Sequence, residues 1–595
     1  MKKFVLLLIS FFALTVTVKT QQPSLPGGHS ENDRAYLTQE KVFLDTDKNF
    51  YLTGETIWYK AYCITSGKDA PEAISSVLYV ELMDTRGNAL LQEKILLENG
   101  QGKGHFFISG EMASDAYILR AYTSWMKNFD PKLFFRQPIT ILNPFSPTGK
   151  EIHVVSDSGS YLTRDSRDNV IVSLPPKNYS GREKVMANIS LSAELNRSAR
   201  ANLSVSVYKY SPGLDPYLGT IKDHLNSLVS SPVNANDSQV FSHAYLPEIH
   251  GPLIQGTIRP LGSIPVPKYF YILFPGKSSY LYTAEPEDNN TFAIEISPEI
   301  RTTDILFWAE EIDMNQFEVS ILPEFLPETA APLLQKTPIN EENRPYLESL
   351  SVNTQLANAY LPFTNVRGMD APGNQPVSAF YGSGDIIYNL DEYTRFPTME
   401  EVFTEYIRFV IARKRKDDTQ HFYLWDLYAN NISISNSIFF DEPALTMIDG
   451  VPVGDIETIW NFDPRKIKTI ELVNRKYHAG KKIFSGIIYF QTYKGDLAGE
   501  ALPKDIIKAE YNPVQEIRSF SSPDYDKSEQ KNSRIPDYRT LLYWNPEMYT
   551  DASGKVSFSF FTGDDTGKYR IEVSGILPDG TPVYGTTDFE VNGDW

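Results

Sequence analysis

Eight histidines stand at His29, His105, His153, His224, His243, His250, His421 and His478, and none forms a metal-binding spacing. His243 and His250 lie seven apart around Pro247, without the i, i+4 step that sets two imidazoles on one helix face. The single Cys63 closes no intramolecular disulfide and builds no thiolate metal site or dithiol. No G-x-S-x-G elbow, phosphate-cradling P-loop or dinucleotide glycine pattern occurs. Asp45-Thr46-Asp47 lacks the remaining ligands of a calcium loop and reads as a capped turn. Catalytic residues, cofactor-binding residues and metal ligands are therefore all expected to be absent, and the chain is expected not to be an enzyme. Arg413 to Lys416 form a basic run, but Asp417 and Asp418 follow at once, the mark of a solvated turn. Trp58, Tyr59 and Tyr62, or Trp425 and Tyr428, are the aromatics that stacking on a ligand would use, although aromatics on strands serve more often as core.

The elements that must position these side chains read as β. In 595 residues there are 35 Tyr, 34 Phe, 39 Pro and 35 Gly, the balance of a pleated, turn-rich protein in several domains. A net charge of −19 speaks against nucleic acid or an anionic membrane surface as the main partner. Lys2, Lys3 and the apolar stretch Phe4 to Val18 read as a signal peptide over 1–21, with no cysteine near it to carry a lipid anchor. Beyond Val18 no apolar run is long enough for a transmembrane helix. An antiparallel sandwich is expected over 37–145, where Ile57, Tyr59, Ala61 and Cys63 alternate with Trp58, Lys60 and Tyr62 as in a half-buried strand. A second sandwich is expected over 146–235, with Ala201–Tyr208 keeping one wet face, and a third over 241–325. Residues 326–395 read as a connecting segment and 396–500 as a small α+β domain. The latter opens with a Thr398/Glu401 capping box whose helix is expected to carry Val402, Tyr406, Phe409 and Val410 on one face. A charged, Ser-rich linker over 501–536 leads to a C-terminal β segment, 537–595. There Val556, Phe558 and Phe560 are expected to face Tyr569, Ile571 and Val573 across the Gly563–Gly567 turn.

Four stretches resemble known families. Glu40 to Tyr62, with its Tyr51-Leu-Thr-Gly-Glu55 turn leading into an aromatic strand, resembles the opening of macroglobulin-like sandwiches. Tyr543-Trp-Asn-Pro546 with Asp551–Phe560 and Thr566–Val573 is similar to another such segment. The residues from Gly251 resemble the carboxypeptidase-regulatory or transthyretin-like sandwich. The thioester of protease-trapping macroglobulins is not carried over, since no C-x-E-Q occurs. Pro443–Val453, Asp463–Val473 and Phe484–Thr492 are similar to the plug domain of TonB-dependent outer-membrane transporters. That resemblance singles out Asp449, Gly450 and Pro452 of the turn, Ile470 and Glu471 of the next strand, and Gly486 of the last as a plug-like interaction motif. The plug's usual 22-stranded barrel would need about 200 residues of strand, while 100 residues follow Gly495.

The expected architecture is thus mainly β, a string of antiparallel sandwiches with one plug-like α+β domain. The expected function is that of an exported, non-enzymatic scaffold in the periplasm, at the outer membrane or on the cell surface. Its partner would be an outer-membrane protein complex, either a TonB-dependent transporter or assembly machinery, so that membrane association is indirect. The alternative is a binding protein that delivers glycan or peptide to such a transporter.

Overall fold

The computed structural model describes residues 39–65, 73–145, 153–155, 168–175, 178–193, 195, 200–211, 214, 219–224, 245–327, 336–338, 343–360, 379–415, 419–428 and 439–593. The leader expected at 1–21 lies outside them. Within them the chain is mainly β, as its composition implies. No helix among the described residues is long and apolar enough to cross a membrane.

The first unit is a sandwich of a three-stranded sheet, Glu40–Thr46, Thr56–Thr65 and Gln101–Phe107, on a five-stranded one. The five run in the order Phe50–Leu52, Phe135–Leu142, Asp115–Tyr122, Val77–Met83, Ala89–Leu96. Leu44, Tyr59, Ala61, Val80, Leu119 and Ile139 fill the space between the sheets. The turn between the first strands is tied by Asp47, whose Oδ1 accepts from the Trp58 N–H at 2.8 Å and the Tyr51 hydroxyl at 2.7 Å. Gly54 closes it at φ 91°, where a side chain would be strained.

The β segments expected separately within 146–235 and 537–595 build one sandwich together. Asn202–Lys209 lies between Leu541–Tyr549 and Gly567–Ile576, with Pro582–Val591 beyond, and Lys184–Leu191 pairs with Lys555–Phe561 in the opposite sheet. Lys555–Phe561 and Gly567–Ile576 therefore face each other across a core rather than pairing as a hairpin, with Phe558 and Phe560 packed in the same core as Tyr569 and Val573. Neither segment alone has enough apolar surface for two sheets, so each completes the other.

The expected wet faces are dry for the same kind of reason. Trp58, Lys60 and Tyr62 are buried against this composite sandwich, and so are Ser204 and Ser206. Lys60 Nζ donates to Asn202 Oδ1 at 3.0 Å, the Ser204 hydroxyl donates to the Asp45 carboxylate, and Trp58 packs with Tyr208, Leu541 and Trp544. Burial pushes both the Asp45 carboxyl up and the Lys60 ammonium down to about 7.

A third sandwich sets Thr291–Glu295, Leu253–Pro260 and Phe317–Ile321 on Tyr280–Ala284, Phe270–Phe274, Asp304–Trp308 and Ile507–Glu510. The last strand comes from the expected linker. That segment goes on to bridge Val514 to Lys94 and ends under the composite sandwich, where the Tyr525 hydroxyl donates to Asp537 Oδ2 at 2.9 Å. It acts as a strap across three units. Lys94, buried, pairs with Glu324 at 2.7 Å, while the Tyr79 hydroxyl donates to Glu248 Oε1 at 3.0 Å, locking the first and third units together.

The fourth unit is a mixed five-stranded sheet in the order Ile386–Asn389, Ile467–Val473, Ile487–Thr492, Leu445–Ile448, Val451–Pro452. Its first strand falls in the stretch expected only to connect, as does the helix Arg344–Tyr360, whose Leu347 and Leu350 pack on Leu52 and Leu142. Too few apolar positions repeat in that helix to mark it. The Thr398/Glu401 capping box is present, but the helix ends at Glu405; Phe409 takes φ 68° and Val410 opens a strand. One sheet face carries this unit's own core, with Val402, Ile470 and Phe490. The other joins Tyr271, Leu273 and Trp308 of the third sandwich to Met447, Val473, Ile487 and Tyr489.

Candidate functional site

The six residues of the plug-like motif are all engaged inside the molecule. Asp449 sits at φ 48° and Gly450 at φ 85° in the tight turn between two strands. Asp449 Oδ1 accepts from the Thr492 N–H at 2.8 Å, and Oδ2 accepts from the Thr492 hydroxyl at 2.6 Å and the Leu497 N–H at 3.0 Å. Burial pushes its carboxyl up while the bonds from Thr492 hold it down. The Gly276 N–H of the third sandwich donates to Asp449 O at 2.8 Å, and a Cβ on Gly450 would lie 2.6 Å from Ser279 Cβ. Pro452 pairs with Met447, and Ile470 is wholly buried in the core of its own unit. Glu471 Oε2 accepts from the Tyr381 hydroxyl at 3.0 Å and the Gly384 N–H at 3.2 Å. Gly486, at φ 89°, leaves room for Leu424 Cδ1, which a Cβ would meet at 2.6 Å. The motif thus shapes a turn and seats the sheet on its neighbour.

The aromatic candidates divide. Tyr59 and Tyr62 are buried side chains and offer no platform. Trp425 packs edge-on against Phe409 at 5.4 Å, while Tyr428 is exposed with its hydroxyl 3.3 Å from Asp385 Oδ1. In the basic run, Arg413 lies over Tyr423 at 5.5 Å, and Arg415 pairs with Glu311 and Glu442. Residues 416–418 lie outside the described residues. Among the described residues no three His, Cys, Asp or Glu side chains converge as metal ligands.

Trp58 does border a cleft. A cavity of about 280 Å³ opens between the strand Gln101–Phe107, the strap at 517–522 and the start of Leu541–Tyr549. His105 stacks on Trp58 with centroids 5.3 Å apart, and Phe520 meets Trp58 edge-on at 6.0 Å. Tyr543 and Trp544 line the far wall, and Lys103 pairs with Glu547 at 2.6 Å on the rim. Burial and the neighbouring Arg518 push the His105 imidazole down to about 4, so it is neutral at pH 7. Arg518 has no ion pair or hydrogen bond among the described residues. Sequence reasoning weighed His105 only as a metal ligand and passed over Arg518 and Phe520. The strap that carries two of them has a linker's composition, and only Tyr543–Pro546 stood out on this wall.

No family model matches the sequence, and no curated protein matches it. Among solved structures, Escherichia coli alpha-2-macroglobulin activated by porcine elastase aligns with 93% of this chain and 44% of its own at 10% identity, with a TM-score of 0.23. Salmonella alpha-2-macroglobulin reacted with methylamine aligns with 93% and 39% at 10% identity, TM-score 0.23. A tetra-tandem repeat from the extending region of a large adhesion protein aligns with 93% and 100% at 9% identity, TM-score 0.12. The chain spans less than half of the two macroglobulins with which it aligns. At these TM-scores no common arrangement is defined.

Proposed function

We propose that this chain is an exported, non-catalytic scaffold of a double-membrane cell envelope, docking on an outer-membrane transport or assembly complex through the unit 386–492. The observation that carries the reading is the continuity of buried contact between units: a shared sandwich, a strap across three units and an apolar junction under the mixed sheet. Units fused in this way hold their outer surfaces at fixed spacing, which a binding platform needs and a flexible string of domains lacks. The outward surface of the mixed-sheet unit suits a protein partner. Ile386–Asn389 is the end strand of its sheet, with Ile387 50% exposed, and Tyr406 packs at a tilt on Tyr393 at 4.7 Å and on Phe396 at 5.3 Å in the same unit. The resemblance of 443–492 to transporter plugs gives the class of partner. Membrane association then runs through that partner, and the scaffold requires no cofactor, metal or nucleic acid.

Site-specific photo-cross-linking in intact cells tests this. A benzophenone side chain at Ile387 is expected to capture an outer-membrane protein, and the same group at Leu261, 68% exposed on the third sandwich, is expected to capture none. No adduct at Ile387, or equal adducts at both positions, overturns the proposal.

A further inference from the structure

The cleft beside Trp58 is walled on one side by the strand Gln101–Phe107. This is the outer strand of its sheet. The Cys63 N–H donates to Gly100 O at 2.7 Å and the Ile108 N–H to Glu55 O at 2.9 Å. In an antiparallel ladder alternate residues bond the same neighbour, so Gly102, Gly104 and Phe106 bond Thr56–Thr65 while Gln101, Lys103, His105 and Phe107 turn their main chain outward. Gln101 closes on Glu98, donating at 3.0 Å and accepting at 2.7 Å. His105 is taken by the strap: its N–H donates to Gln515 Oε1 at 3.0 Å, and Gln515 Nε2 donates to His105 O at 2.7 Å. The Gln515 amide thus stands in for one residue of a missing strand. Between these two satisfied positions, Lys103 offers an N–H and a C=O that nothing among the described residues takes, and it lines the cleft.

Three further features surround that open position. The Lys103 ammonium is already neutralised by Glu547, so the position itself adds little charge. The Arg518 guanidinium has no such partner and lies next to a neutral imidazole. The wall is mixed, with Phe520 and the small exposed edges of Trp58 and Trp544 on the apolar side and Ser519, Ser522 and Asn545 on the polar side. Unpaired edge groups suit an extended chain, a mixed wall suits short polar and apolar side chains alike, and a planar guanidinium suits a carboxylate bidentately.

We infer that this cleft binds an extended peptide segment, whose main chain pairs with Lys103 at the open edge and whose carboxylate meets Arg518. A sugar acid satisfies Arg518 and the mixed wall but does not supply the alternating donor and acceptor that the edge presents. This inference is independent of the docking proposed above, and neither stands or falls with the other.

Fluorescence anisotropy on the full chain tests it. The probe is a fluorescein-labelled, C-terminally amidated pentapeptide, Thr-Val-Asp-Val-Thr; its counterparts carry Asn for Asp, with the C-terminus amidated or free. The Asp peptide is expected to bind about tenfold tighter than the amidated Asn peptide, as one charged hydrogen-bonded contact implies. Binding of the free-acid Asn peptide at the Asp peptide's level would place the terminal carboxylate on Arg518; binding at the amidated level would place the side chain there. Arg518→Ala is expected to abolish the advantage of the carboxylate. Lys103→Pro removes an outward N–H that the sheet does not use, so the fold tolerates it while peptide binding is lost. Lys103→Ala, which keeps that N–H, is expected to bind as the parent does, and far-UV circular dichroism checks all three folds. The inference is overturned by no binding of any peptide up to about 1 mM, by equal binding to the Pro and Ala variants, or by an Arg518-dependent affinity for tetragalacturonate that no peptide matches.

Discussion

Gly450→Ala puts a methyl where the mixed-sheet unit meets the third sandwich. The new Cβ lies 2.6 Å from Ser279 Cβ and 3.2 Å from Pro275 Cα, on a residue whose φ of 85° already disfavours a side chain. The left-handed backbone costs about 1 kcal/mol and the overpacking about 1–3 kcal/mol, so a loss of roughly 2–4 kcal/mol is expected. With about 2.1 cal/mol/K of unfolding entropy per residue, a body of about 450 described residues is expected to lose roughly 2–4 °C in Tm. Ser279→Gly removes part of the obstacle, at the cost of the 2.9 Å bond from the Tyr489 hydroxyl, about 1 kcal/mol. In the double variant the two losses are expected to fall short of additivity by about 1 kcal/mol or more, read from urea unfolding by tryptophan fluorescence. Trp308, in the same junction core, supplies a local signal. Additivity within about 0.5 kcal/mol would refute the reasoning, because Gly450 would then be required by its turn alone and not by the neighbouring sandwich.

Glu81→Ala removes the carboxylate Oε2 that accepts from Arg120 at 2.7 Å and balances its buried charge in the first sandwich, so a loss of about 3–5 kcal/mol is expected in urea unfolding. His224, packed between Phe43 and Phe135 at 5.5 Å and 5.4 Å, has its imidazole pushed down to about 4 by burial. Its neutral form is favoured in the fold, so stability is complete above about pH 6.5 and falls by roughly 3 kcal/mol as pH drops to 4; His224→Phe is expected to flatten that part of the pH profile. Arg182→Ala removes the bonds to Asp564 and to the carbonyls of Ser533 and Ile535, and trypsin is expected to cut faster between 527 and 534 while the composite sandwich stays folded.

Strand identity was legible because burial and turn chemistry act locally. The strand that carries Ile57 to Cys63, the Thr398/Glu401 box and the Asp449-Gly450 turn all lie where the sequence puts them. What lay hidden is what each element meets. Alternation in Trp58-Tyr59-Lys60 marks polarity, and polarity implies exposure only if no polar partner arrives; Asn202 arrives from 142 residues away. Likewise nothing local to Asn202–Lys209 shows that its neighbours on both sides begin after residue 540. The strap looks like a linker since its fixation depends on single residues, such as Gln515 on His105 and Asp537 under Tyr525, rather than on an apolar repeat. The candidate motif was readable as a D-G turn, but Ser279 and Gly276, which explain its shape, belong to another unit.

The central claim is that distant segments fold as one rigid body. Native-state hydrogen exchange on the full chain in rising urea measures this directly. Amides of Asn202–Lys209, Leu541–Tyr549 and Gly567–Ile576 are expected to share one opening free energy and one urea dependence, as a single cooperative unit. Exchange of the two C-terminal strands at lower urea than Asn202–Lys209 would contradict it.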